Sequence, residues 1–234
     1  MSLFAISDLH LALDPAVDKP MDIFDDAWNN HVDRLKNNWE QIVTDNDTVV
    51  IPGDISWGID LNQSAADLKF IESLPGHKVL LRGNHDYWWS SMAKMQGLYR
   101  NIDYVQNDCY EGDNFVICGC RGWALPSRPL KDFTDAENKK IYQRELLRLE
   151  MSLKEASQKR DGRTLIVATH FPPLDAQHST TDFTKLFKQY GVDIAIYGHL
   201  HHGHWNEALE GCVDGVKYYL VSLDKLDARP VKIL

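Results

Sequence analysis

An α/β fold is what this 234-residue sequence predicts, on three observations. Five short apolar runs, LFAIS, TVVIP, KVLLR, TLIVA and VDIAIY, are rich in β-branched or aliphatic residues. Runs of this length and composition form strands buried on both faces. Each run ends in polar, metal-ligand side chains: Asp8-x-His10 (SDLH), Gly53-Asp54 (IPGD), Gly83-Asn84-His85-Asp86 (RGNHD), His170 (VATHFPP) and Gly198-His199-x-His201 (IYGHLHH). Between the runs, apolar residues recur at helical spacing. Polar groups at strand ends, here expected along one edge of one sheet, are where α/β folds build their sites.

The elements follow in order. After the first strand, Trp28, Val32, Leu35, Trp39 and Ile42 recur on one helical face, predicting an amphipathic helix over Ile23–Asp45. Shorter helices are expected over Asn62–Ser73, Trp88–Tyr99 and Asp182–Gln189. Between Gly122 and Arg163 the chain reads WALPSRPLKDF and then a helix from about Thr134, with Glu137 completing a capping box. Tyr142, Leu146, Leu149 and Leu153 form its apolar stripe. The tail, His204–Glu210 then Val216–Leu223, alternates like antiparallel strands about a Val213-Asp214-Gly215 turn. There is no internal repeat, low-complexity tract or linker. At this length and 44% hydrophobic content, a single domain over 1–234 is expected, with a helical insertion at about 125–162.

The residue types define the chemistry. Four imidazoles, two carboxylates and one amide make a mixed N/O donor set. Such a set suits manganese first, with Fe, Zn, Co or Ni as alternatives, rather than Ca or Mg alone. The donors are too many for one ion and suffice for two when a carboxylate bridges. Two divalent metal ions roughly 3.5–4 Å apart activate a water and stabilise attacking and leaving oxygens at phosphorus. The glycines before Asp54, Asn84 and His199 let the strand ends turn sharply beside such ions.

With these motifs in place, the chain resembles the calcineurin-like metallophosphoesterase superfamily, whose pattern is D-x-H, G-D, G-N-H-[DE], a lone H, then G-H-x-H. All five elements occur in that order from Asp8 to His201. The resemblance implies two facing mixed β-sheets flanked by helices, a four-layer sandwich. It implies that one metal takes Asp8, His10, Asp54 and His201. The other takes Asp54, Asn84, His170 and His199, so Asp54 bridges. It further implies that His85 protonates the leaving oxygen and that Asp86 orients His85, a role suited to an imidazole held by a carboxylate.

Departures from the pattern narrow the reading. Protein Ser/Thr phosphatases of the superfamily extend the second motif to GDxxDRG, whereas this chain reads GDISWGID and lacks that arginine. Lipid A pathway hydrolases place Arg where this chain has His85. A small phosphorylated substrate is the partner expected, hydrolysed as a monoester or a diester. The alternative is a noncatalytic scaffold of the same fold, like the retromer subunit; the complete ligand set and His85 favour the enzyme.

Composition removes other classes. A net charge of −9 argues against nucleic-acid binding. No apolar run reaches the roughly 20 residues of a membrane helix. Met1 leads directly into a strand, leaving no room for a signal peptide, so a cytoplasmic protein is expected. Nothing in the sequence indicates an oligomeric state. Cys118 and Cys120 share one strand face while Cys109 and Cys212 stand alone, the pattern of reduced cysteines acting as small apolar residues.

Three further groups carry alternatives. From Arg128 to Arg163 ten Lys/Arg face seven Asp/Glu, either a solvated helix face or a cap whose basic side chains meet anionic substrate. Trp88, Trp89 and Trp123 either line a pocket or fill the core. Among the spare histidines, His31, His77 and His178 read as structural or surface residues, whereas His202 and His204 flank a ligand and are candidates to support it.

Overall fold

The buried runs form strands in two mixed sheets, as the motif resemblance implied, so their ends do not all lie along one edge of one sheet. The computed structural model describes residues 1–234. The chain makes two compact units, one from Met1–Tyr104 with Val221–Leu234 and the other from Val105–Leu220. The first begins with β1 (Leu3–Ala5), α1 (His31–Ile42), β2 (Thr48–Pro52), α2 (Ala65–Ser73), β3 (His77–Leu81), α3 (Met92–Met95) and β4 (Ile102–Tyr104). The second contains β5 (Cys109–Glu111), β6 (Phe115–Cys120), α4 (Asp135–Lys159), β7 (Thr164–Thr169), α5 (Asp182–Tyr190), β8 (Ile194–Tyr197), β9 (Gly211–Val213) and β10 (Val216–Leu220). The chain then returns to the first unit with β11 (Val231–Lys232).

In the first unit the sheet order is β11-β1-β2-β3-β4. Strands β1 to β4 pair in parallel and β11 closes the β1 edge antiparallel, with Phe4 opposite Lys232. Every residue of β1 and β2 is buried, which explains their unbroken apolar composition. Helix α1 places Leu35 and Trp39, four residues apart, into the same core as Ile51, Leu68 and Leu80. Burying a side chain of this size contributes roughly 1.5–3 kcal/mol. The Trp39 indole N–H also donates to the Pro75 carbonyl (2.9 Å).

Two helical expectations fail here for local reasons. The Ile23–Asp45 helix is interrupted: a short 3-10 turn at Asp26–Trp28 starts on the Asp25 carboxylate, then Asn30 adopts φ +51° and α1 begins at His31. Asn tolerates that left-handed geometry, and the break leaves Ile23 and Phe24 exposed. The Trp88–Tyr99 helix shrinks to Met92–Met95, because Trp88 and Trp89 both turn into the core. Neither therefore serves as a stacking surface for a ligand.

In the second unit the sheet order is β5-β6-β7-β8-β10-β9, with β6, β7, β8 and β10 parallel and antiparallel edges at β5 and β9. The sharp β9–β10 hairpin replaces the longer expected one, since residues 205–207 form a 3-10 turn instead of a strand. Helix α4 starts at the expected capping box, Thr134 with Glu137. Its buried Tyr142, Leu149 and Leu153 join the sheet core with Val116, Leu165, Phe183 and Phe187. The helix is therefore a layer of this unit's core, and it is the loop before it, Trp123–Lys131, that borders open space. Although α4 runs 25 residues, no helix is long and apolar enough to cross a membrane. All four cysteines are free, and burial pushes the Cys109 thiol up to about 11 and that of Cys118 well above its ordinary value.

Lys78 on β3 is wholly buried yet satisfied: its ammonium donates to the carbonyls of Leu74 (2.6 Å), Gly76 (2.8 Å) and Glu72 (3.4 Å) around the C-terminus of α2. Desolvation lowers its pKa to about 8, against the pull of Glu72 and Asp45. Lys78→Met leaves these carbonyls without their donor and is expected to cost about 1–3 kcal/mol by urea denaturation. Below pH 8 the amine is charged in both states. Between pH 8 and 10.5 the native protein sheds a proton that the unfolded chain keeps. Stability from this group therefore rises with pH across that window, a rise the variant should lack.

Candidate functional site

Three parallel strands of the first unit deliver Asp8, His10, Asp54, Asn84, His85 and Asp86 from consecutive strand ends. Hydrogen bonds continue past the strands: Asp8 N donates to Gly53 O (3.0 Å) and His10 N to Asp54 O (3.0 Å). The β1 and β2 ends thus run on side by side. Asp8, His10 and Asp54 are buried, and all three have positive φ, at +57°, +46° and +51°. Left-handed backbone at non-glycine residues costs roughly 1–3 kcal/mol each and clusters where function requires it.

Close packing fixes Asp54 further. Its carboxylate accepts from His85 N (2.8 Å), and His10 Nε2 lies 3.8 Å from its other oxygen. A Cβ built on Gly83 would fall 2.1 Å from both the backbone nitrogen and a carboxylate oxygen of Asp54. Glycine at 83 is therefore required by close approach.

Asp86 works through the backbone. Fully buried, it accepts from Gly83 N (2.7 Å), Ile55 N (2.8 Å), Ser56 N (3.2 Å) and Trp88 Nε1 (2.9 Å), not from the His85 ring. Burial, together with the nearby Asp54 carboxylate, raises its pKa to about 6 while the backbone donors pull it down. Any orientation that Asp86 gives His85 passes through the loop it pins. Ser56 extends the network by donating its hydroxyl to buried Asp67, which also accepts from Leu13 N (2.8 Å).

In the second unit, His170 and His199 follow β7 and β8 and His201 lies two residues further on. Backbone bonds hold the strand ends together: His170 N and Phe171 N donate to Arg121 O (3.0 Å each), and Gly198 N donates to His170 O (3.1 Å). The His199 Nδ1 and His170 Nε2 atoms approach to 3.2 Å, and His199 has φ +71°. Flanking histidines are occupied locally, since His204 pairs with Glu207 (2.8 Å) and His202 stacks on Trp205. Further away, His77 meets Asp103 (2.8 Å) and His31 contacts the Trp28 carbonyl (3.2 Å).

Both groups of residues fit divalent metal. Two buried carboxylates beside an imidazole, and two imidazole nitrogens turned toward each other, are donor sets that a cation satisfies. In the metal-free protein these carboxylates would repel and stay poorly solvated.

Sequence reading missed Trp57, in the segment where the arginine of GDxxDRG is absent. Its indole stacks on His10 (centroids 4.9 Å, 26°) and packs against His85 (4.6 Å, 48°), while Lys19 lies 5.5 Å from the ring. No periodicity announces it; the only signal is an aromatic residue three positions after Asp54. Trp57→Ala removes the surface on which both imidazoles rest. It is expected to weaken Mn²⁺ binding by about 10–100-fold in calorimetry, with the far-ultraviolet spectrum unchanged.

The calcineurin-like phosphoesterase family matches residues 1–203 of this sequence. No curated protein matches it. Among solved structures, the phosphopantetheinyl hydrolase of Mycobacterium tuberculosis is similar, with 14% identity and a TM-score of 0.56 over 100% of this chain and 95% of that one. A protein of unknown function from Aquifex aeolicus is 17% identical, with a TM-score of 0.50 over 99% of this chain and 95% of the other. At such identities these likenesses show a shared fold. With its two mixed sheets and a family match over most of its length, the chain belongs to the calcineurin-like phosphoesterase family.

Proposed function

We propose that the protein is a dinuclear metal-dependent phosphoesterase that hydrolyses a small phosphomonoester or phosphodiester. One observation carries this reading: the donor series is complete, at strand ends, within the residues matched to the family. By the motif resemblance, Asp8, His10, Asp54 and His201 would hold one ion, and Asp54, Asn84, His170 and His199 would hold the other, with Asp54 shared. When bound, two divalent ions, Mn first among them, supply a nucleophilic hydroxide at neutral pH and neutralise charge on the phosphoryl oxygens.

The chain's own residues do the rest. His85 donates a proton to the leaving oxygen, and its backbone N–H, already on the Asp54 carboxylate, ties that donor to the shared ligand. Trp57 restricts the His85 and His10 rings, and Asp86 fixes the loop that carries His85. Its four free cysteines suit a reducing, cytoplasmic setting.

The reading is tested by elemental analysis, expected to find two metal equivalents, and by bis-p-nitrophenyl phosphate turnover in added Mn²⁺. A protein that holds no metal and turns over neither this diester nor p-nitrophenyl phosphate would instead be a scaffold. Asp54→Asn should lower metal content and abolish turnover; near-normal activity with both metals retained would overturn the bridging role. His85→Ala should keep both metals and lose about 10²–10⁴ in kcat. That loss should shrink for leaving groups of low pKa, and an equal loss across all leaving groups would assign His85 to substrate positioning.

A further inference from the structure

A cavity of about 560 Å³ opens in the second unit, and its wall includes both His199 and His201. Its size falls within the roughly 300–1,000 Å³ of small-molecule sites. The remaining wall is mainly apolar, with Trp123, Leu130, Phe171 and Leu174 prominent. We propose that this cavity receives the organic part of the substrate, and that this part is an uncharged apolar or aromatic group on a singly phosphorylated compound. The proposal rests on the phosphoesterase reading and names its substrate class.

Three features support it. The apolar wall starts at a proposed ligand: the Phe171 ring lies 4.1 Å from the His199 ring and 5.3 Å from Trp123. An organic group extending from the neighbourhood of His199 would meet this wall first. The wall is also rigid. Trp123 is buried, donates Nε1–H to Asn138 Oδ1 (3.0 Å), carries the Arg121 guanidinium 4.5 Å over its ring and meets the edge of Phe133 at 5.2 Å. A preformed aromatic surface binds an apolar group with a reduced ordering cost.

The charges around the cavity point the same way. Arg128 is paired with Glu207, which also takes His204 Nδ1 at 2.8 Å. Asp175 is occupied by the backbone N–H groups of Gln177 (3.1 Å) and Ser179 (2.8 Å). That leaves Lys131 as the cation for a ligand, too little for a diphosphate or other polyanionic tail. The arginines of α4 do not serve, since Arg144 and Arg148 face buried Glu145 at 3.4 and 2.8 Å. Arg128, Arg144 and Arg148 are thus already engaged by carboxylates of this unit.

Two phosphonates test the proposal on Mn²⁺-loaded protein by calorimetry: methylphosphonate, which engages only the metal site, and 2-(2-naphthyl)ethylphosphonate, which adds an aromatic group. The naphthyl compound should bind about tenfold or more tightly than the methyl compound. In Leu130→Asp that ratio should fall to within about threefold. Ala176→Asp, at an exposed position of the same wall, is the second variant should Leu130→Asp fail to fold. Equal affinities in the wild-type protein, a ratio unchanged in both variants, or a preference for a nucleoside diphosphate over the naphthyl compound would each overturn the cavity assignment alone. If neither phosphonate binds, the phosphoesterase reading falls and the cavity assignment falls with it.

Discussion

One buried carboxylate organises the first unit's strand ends. Asp86 collects four hydrogen bonds from three places: Gly83 on its own loop, Ile55 and Ser56 beyond β2, and the Trp88 indole. Hydrogen bonds to a charged group are stronger than neutral ones, and losing any leaves a buried donor unmet. The β2 and β3 loops therefore cannot move independently. Through Ser56 the constraint reaches Asp67 on α2, and from there Leu13 on the chain beyond β1. Asp54 sits inside this frame, against the bare Cα of Gly83, with no room to relax.

Much of this was legible in the sequence, and the reason is burial. Strands covered on both faces need unbroken apolar runs, so β1, β2, β7 and β8 stand out, and the polar residues that end each run mark the loops. The start of α4 was equally readable, because a capping box is a local signal spanning four residues. The division into two sheets was legible only through the resemblance of the motif series, since period and composition are the same whichever sheet a strand joins. The break at Asn30 escaped for a related reason: helical periodicity runs through Trp28 to Ile42 although the backbone does not. Tertiary packing also decided the fate of Trp88, which follows its indole N–H to Asp86 instead of extending a helix.

The candidate site shows the same asymmetry. The candidate donors are legible by residue type and by their place at the ends of apolar runs. Their supports are long-range and carry no pattern: the Arg121 carbonyl under His170, Trp57 against two imidazoles, backbone amides around Asp86. Basic residues from Arg128 to Arg148 show the same limit. Their count along the chain allowed either a solvated face or a cap over anionic substrate, and it could not show that Glu145 and Glu207 already hold Arg144, Arg148 and Arg128.

The return of the chain to the first unit has a consequence for synthesis. Strand β1, near the start, is closed on one edge by β2 and on the other by β11, near the end. On the ribosome its outer edge stays open while all of Val105–Leu220 is made, on the order of 6–23 s at typical elongation rates. An open, apolar parallel edge is a template for pairing with other chains. The second unit has no such wait, because its six strands are contiguous in sequence. The nascent protein therefore completes its later unit first, and the sheet bearing Asp8 and Asp54 is the last to be sealed.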